Sequence, residues 1–194
     1  MKDMLSKVIA FDMQTGKAPI EDAQPLKRNL SGLKKIFSDQ DAAQMILSKD
    51  DPLVYEFYDL HMPEKEGDLA FGSSIVYPGK VGQEYYMTKG HFHTILDTAE
   101  VYYCLNGHGM MMMESPEGDV EYQEMKPGQA VYVPGRYAHR SINLSNTETL
   151  VTFFVFRADA GHNYGTVEER GFRKLVIADG DGYAVVDNPN WAGA

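Results

Sequence analysis

A single cysteine, Cys104, is present in the 194 residues, so no internal disulfide can form and a disulfide-stapled extracellular scaffold is excluded. Positive charge is also scarce. Eighteen Lys and Arg stand against 28 Asp and Glu, a net charge of -10, and a surface so acidic repels both nucleic-acid backbones and anionic membranes. No partner of either kind is expected. Apolar runs of membrane-spanning length are absent, and Met1-Lys2-Asp3-Met4 opens no long apolar stretch with a cleavage site; a cytoplasmic protein is expected. No repeat of fixed period occurs. What remains is ordinary globular composition, 43% hydrophobic and 24% charged, sufficient for one core with arms and too small for two independent enzymes.

The chain changes character near residue 53. Residues 1–52 form an arm with short helices. A strand is possible at 6–11, Thr15-Gly16-Lys17-Ala18-Pro19 is turn chemistry, and 29–37 carries apolar residues at helical spacing. Ser38-Asp39 can cap a helix from Gln40 that Asp50-Asp51-Pro52 ends. From Leu53 onward, short apolar runs alternate with Gly, Pro and Asp, the pattern of an all-β sandwich or barrel. Strands are predicted at 53–60, 69–77, 83–87, 91–95, 100–106, 109–114, 120–125, 130–133, 139–143 and 150–156, with a hairpin turn at Pro116-Glu117-Gly118-Asp119. Residues 53–160 would hold the barrel, and strands at 174–178 and 183–186, within 161–194, would complete the same domain.

Four side chains stand out. Alternation along a strand aims His91 and His93 to one side and Phe92 to the other. Glu100 shares a face with Tyr102 and Cys104, opposite the apolar Val101, Tyr103 and Leu105; His139 shares one with Ser141 and Asn143. A histidine on an apolar face is usually a core residue rather than a ligand. Three histidines and a carboxylate at joint spacing are different, because they form a donor set that borderline divalent ions such as iron, nickel, zinc or manganese accept. The run Met110-Met111-Met112-Met113 suggests soft Cu(I) only until alternation is applied, which splits the sulfurs between two faces and makes them core filling. His108 and His61 are expected on solvated loops, and Cys104 in the core.

The segments Gly90, His91-x-His93, Glu100 and Gly107, then Gly128, Pro134, His139 and Asn143, resemble the paired motifs of the cupin superfamily, although six residues between His93 and Glu100 exceed the commonest gap. Within it, Thr88-Lys89-Gly90-His91-Phe92-His93, Tyr132-Val133-Pro134, Ala138-His139-Arg140, Ala158-Asp159-Ala160-Gly161-His162-Asn163-Tyr164-Gly165 and the closing Val186-Asp187-Asn188-Pro189-Asn190-Trp191 are similar to the cupin-type phosphoglucose isomerases of archaea and some bacteria. The likeness covers roughly residues 50–191.

This resemblance implies a double-stranded β-helix (jelly-roll) barrel and a metal-dependent aldose-ketose isomerase that interconverts glucose 6-phosphate and fructose 6-phosphate. It implies one divalent ion per subunit, Fe2+ ahead of Ni2+, Zn2+ or Mn2+, held by His91, His93, Glu100 and His139, in a homodimer. Glu100 is the matched base candidate and His162, beside Tyr164, the proton carrier for ring opening; Tyr102 could donate to a sugar oxygen. Thr88 and Gly90 match phosphate contacts, with Ser74 on an adjacent strand and Lys89 beside them. Phe156 stands where some relatives carry Tyr, so that hydroxyl is missing. An anionic sugar phosphate also needs local positive charge; Lys89, Arg136 and Arg140 are the candidates near in sequence. Cupins also include dioxygenases, decarboxylases and non-catalytic sugar binders, so the barrel alone does not choose the reaction.

Overall fold

The computed structural model describes residues 8–17, 25–60 and 63–192. Fifteen strands are its dominant secondary structure. They are β1 (Leu26–Asn29), β2 (Leu53–Asp59), β3 (Leu69–Val76), β4 (Lys80–Val81), β5 (Glu84–Tyr85), β6 (Phe92–His93), β7 (Glu100–Asn106) and β8 (Gly109–Glu114), followed by β9 (Val120–Met125), β10 (Ala130–Val133), β11 (Ala138–Asn143), β12 (Leu150–Arg157), β13 (His162–Asn163), β14 (Lys174–Asp179) and β15 (Gly182–Asp187). The helices are short: α1 (Leu30–Leu33), α2 (Gln40–Leu47) and α3 (Gly165–Arg170).

One wall of the barrel is a six-stranded antiparallel sheet in the order β1-β2-β3-β12-β7-β10. Alternation sorts its faces. Tyr55, Ser74, Glu100, Tyr102, Phe154 and Phe156 point into the barrel and line a common cavity, whereas Leu69, Tyr103 and Tyr132 are exposed on the outside. The opposite wall combines β11-β8-β9, β15-β14-β5-β4 and the pair β13-β6. Isolated bridges at Met87↔Ile142 and His91↔His139 tie the 84–93 segment to β11. Between the walls, all four methionines of β8 are buried, and register sets Met111 opposite Ser141 and Met113 opposite His139. They fill the core from both faces of the strand, as alternation predicts, and Cys104 is buried with them.

Most predicted strands are present, and the departures are local. Residues 29–37 are not one helix: Asn29 ends β1, a four-residue α1 buries Leu30 and Leu33, and a 3-10 turn follows at Lys34–Ile36. Gly32 lowers helix propensity, and pairing of β1 with β2 claims the residues before it. The predicted strand at 91–95 shrinks to two residues because Thr94 and Ile95 donate their N–H groups to Gly161 and Ala160 instead. Residues 8–11 are irregular, with Phe11 edge-on to Phe153 at 5.6 Å, so the arm covers part of the outer face. Asp39 caps α2 as predicted, its carboxylate accepting from the Ala42 N–H at 2.8 Å. His108 is partly exposed and paired with Glu124 at 2.7 Å; His61 and residues 6–7 lie outside the described residues.

Candidate metal centre

Backbone pairing assembles the cluster. His91 and His139 exchange both N–H···O=C bonds, at 3.3 and 3.1 Å, which sets their side chains side by side with ring centroids 4.6 Å apart. Glu100 enters from the facing wall, where register holds it between Val133 and Phe156. One donor atom from each of His91, His93, Glu100 and His139 lies within 4.8 Å of the others.

The hydrogen bonds fix which nitrogens face inward. His93 Nδ1 lies 3.0 Å from the Thr98 carbonyl and 2.8 Å from the Thr98 hydroxyl, whose own proton goes to the Ile95 carbonyl. Both partners can only accept, so Nδ1 carries the proton and Nε2 presents a lone pair. His139 Nδ1 likewise faces the Tyr137 carbonyl at 3.2 Å. The two Nε2 atoms then point at Glu100 Oε2 from 3.1 and 2.9 Å. His91 Nε2 is buried with no hydrogen-bond partner among the described residues. Lone pairs facing a carboxylate repel unless a cation lies among them, so the donor set fits a divalent ion of the borderline class.

The same surroundings shift the titrations. Burial alone would raise the Glu100 carboxyl, but where a proton on Nε2 of His139 or His93 takes the place of a cation, its charge and hydrogen bond outweigh burial and hold the group well below the usual carboxylate range. Burial lowers His91 well below its ordinary value, and His139 and His162 push the same way. Burial drives Tyr102 well above the ordinary phenol value, reinforced by the charge of nearby Glu100. Tyr102 therefore stays protonated. His162 reaches solvent, but its ring packs 4.4 Å from His91 and stacks on Tyr164, and lost hydration lowers its pKa.

Of the residues singled out from sequence, Ser74, Thr88, Gly90, His91, Glu100, Tyr102, His139, His162 and Tyr164 line one cavity, and His93 sits behind it within the cluster. Lys89 does not line that cavity. Its ammonium is paired with Glu168 of α3 and lies 4.9 Å over the Tyr164 ring. Arg136 is spent on Glu117 and Asp97. Arg140 is buried on the other side of β11, 4.3 Å over Phe172 and bonded to the Lys174 carbonyl at 3.0 Å. Sequence reasoning missed Tyr55, Phe57 and Asp59, which also line the cavity. Their alternation on β2 was visible; which face would be inward was not.

Fold and cluster together define a cupin barrel with three histidines and one glutamate that could hold a metal ion. The chain belongs to the glucose-6-phosphate isomerase family, whose model matches residues 27–191. It is similar to "Glucose-6-phosphate isomerase" of Thermococcus kodakarensis, 48% identical over 93% of this chain and 94% of the relative. The enzyme of that name in Pyrococcus furiosus is 46% identical over 94% and 95%. A "Putative glucose-6-phosphate isomerase 1" of Rhizobium meliloti is 39% identical over 93% and 85%. Among solved structures, oxalate decarboxylase from Bacillus subtilis is similar at 22% identity, with a TM-score of 0.43 over 56% of this chain and 26% of its own, a likeness too loose to bear on function.

Proposed function

We propose that the protein interconverts glucose 6-phosphate and fructose 6-phosphate in the barrel cavity, with a divalent ion held by His91, His93, Glu100 and His139. The reading rests on one observation above the family membership: two Nε2 lone pairs converge on a buried carboxylate at the floor of a cavity rimmed by hydroxyls and a glycine. An ion bound there supplies an electrophile for the two sugar oxygens that exchange roles and for the negative charge that develops on them.

The residues divide the remaining work. Thr88 Oγ1 accepts the Ser141 N–H at 3.0 Å, which leaves its own proton for an anion at the rim, with Ser74 and Gly90 beside it. His162 and Tyr164 stand at the mouth, where His162 can carry the proton that ring opening requires. Tyr102, protonated and beside Glu100 in the cavity lining, can donate to a sugar oxygen. Glu100 then has two possible duties. It abstracts the C2 or C1 proton after loosening from its neighbours, or it only positions while hydride passes directly between the carbons. Turnover in heavy water distinguishes these routes: label on product carbon supports proton transfer, and full retention of hydrogen favours hydride shift.

We also propose Fe2+ as the resident ion, a cytoplasmic location, and a homodimer in which the exposed face bearing Leu69, Tyr103 and Tyr132 meets its copy. Sedimentation at low micromolar concentration tests the last. The assignment as a whole is tested by a coupled assay in both directions before and after chelation. Activity lost with the ion and restored by a divalent metal is expected, and Glu100→Gln should lower kcat at least a hundredfold. Turnover indifferent to chelation would remove the metal from the account; no turnover under any loading would remove the reaction. An unchanged rate without oxygen separates it from a dioxygenase.

A further inference from the structure

A sugar phosphate is an anion, and this chain carries a net charge of -10. Lys89, Arg136 and Arg140, the cations nearest the motifs in sequence, are committed elsewhere. Arg28 is not. It forms no ion pair among the described residues, and its backbone-directed bond goes only to the carbonyl of its own neighbour, Lys27.

Position makes this cation relevant. The β1–β2 register sets Arg28 directly opposite Tyr55, and directly paired residues share a face, so both side chains rise on the inner side of the sheet. Tyr55 lines the cavity. Tyr55 is the cross-strand neighbour of Arg28, close enough for the guanidinium charge to act on its phenol and on that of Tyr164. Burial pushes the Tyr55 phenol up to about 12, so it remains a donor at neutral pH. The Tyr55 and Thr88 side chains line the cavity, and Arg28, half-buried on the edge strand, stands beside Tyr55 on the same face of the sheet.

We propose that Arg28 is the positive charge that grips the substrate phosphate and sets the preference for phosphorylated over free sugar. This rests on the function proposed above. A guanidinium offers paired donors in one plane that match two phosphate oxygens, and a charge at the rim of a low-dielectric cavity attracts an anion against the repulsion of the rest of the molecule. The competing role for Arg28 is packing alone, as a brace for Tyr55.

The test uses calorimetry with inorganic phosphate, glucitol 6-phosphate and glucitol on the metal-loaded protein, beside steady-state kinetics on glucose 6-phosphate and glucose. Arg28→Gln should weaken glucitol 6-phosphate and phosphate at least tenfold, leave glucitol affinity as it was, and place the kinetic loss on KM. Arg28→Lys, which keeps charge without the planar fork, should recover part of it, and Arg136→Gln should change nothing. Phosphate affinity equal to wild type in Arg28→Gln, at an unchanged melting temperature, overturns the proposal, as does a wild type that binds neither anion. Equal losses for glucitol and its phosphate would assign Arg28 the packing role. Anion binding needs no turnover, so a protein that fails to isomerise yet loses phosphate in Arg28→Gln refutes the reaction and leaves this inference standing.

Discussion

At the level of single residues, the centre depends on side chains that never touch an ion. Thr98 is the clearest, because its hydroxyl and carbonyl together fix the His93 tautomer. Thr98→Val keeps the shape and removes one acceptor, and metal affinity measured by chelator competition should fall roughly 10- to 100-fold. Glu84 gives a pH prediction. It is buried, accepts both Ser38 donors at 2.8 and 2.9 Å, and burial raises its carboxyl above the ordinary value despite the nearby Arg140 charge. A raised folded-state pKa means that stability is lost as pH rises from the unfolded value through the folded one. Wild type should therefore gain stability relative to Glu84→Gln on going from pH 8 to pH 5 in urea denaturation; a constant difference would show that the ionised group bears no burial cost. The ligand residues could be read from sequence because parity acts over two or three positions. Tyr55 and its neighbour Arg28 could not, since only cross-strand pairing sets Arg28 beside this cavity residue.

Among the elements, the short segments that carry chemistry were hardest to foresee. The β strands announce themselves through alternation, and the β8–β9 hairpin through its Pro-Glu-Gly-Asp turn. β1, Leu-Lys-Arg-Asn, has no alternation to detect, and α3 has six residues, Tyr164 at its N-cap and no capping bond. Both are held by their neighbours rather than by local preference. The link between Thr88 and His91 is sensitive to change and sits beside the metal ligands. Gly90 has φ 82°, and a Cβ there would stand 2.7 Å from the Phe172 ring and 3.1 Å from Arg140 Cβ. Gly90→Ala should cost about 1–3 kcal/mol in chemical denaturation. It should also lower activity, because His91 moves with it. Wild-type stability in that variant would mean that Phe172 yields freely.

For the whole molecule, the cluster joins one barrel wall to the other, so an ion bound there favours the closed barrel over the unfolded chain. At a free concentration about 100 times Kd the gain is about 2.7 kcal/mol. Chelation should then lower Tm by roughly 5–10 °C in a chain of this size; no shift would mean that the donors hold no ion in the folded state. The all-β class was readable from the spacing of apolar runs and turns. The edge strand β1 and the division of the second wall into three ladders were not, because they depend on partners far along the chain. The antiparallel exchange between His91 and His139 carries one more consequence, for how the protein is made. Glu100 and His139 are 39 positions apart, and bringing such positions together costs about 3 kcal/mol of chain entropy before any donor set exists. An emerging polypeptide offers little more than His91 and His93 as a pair, so an ion held by all four donors would be captured only after the walls close, through the mouth beside Tyr164.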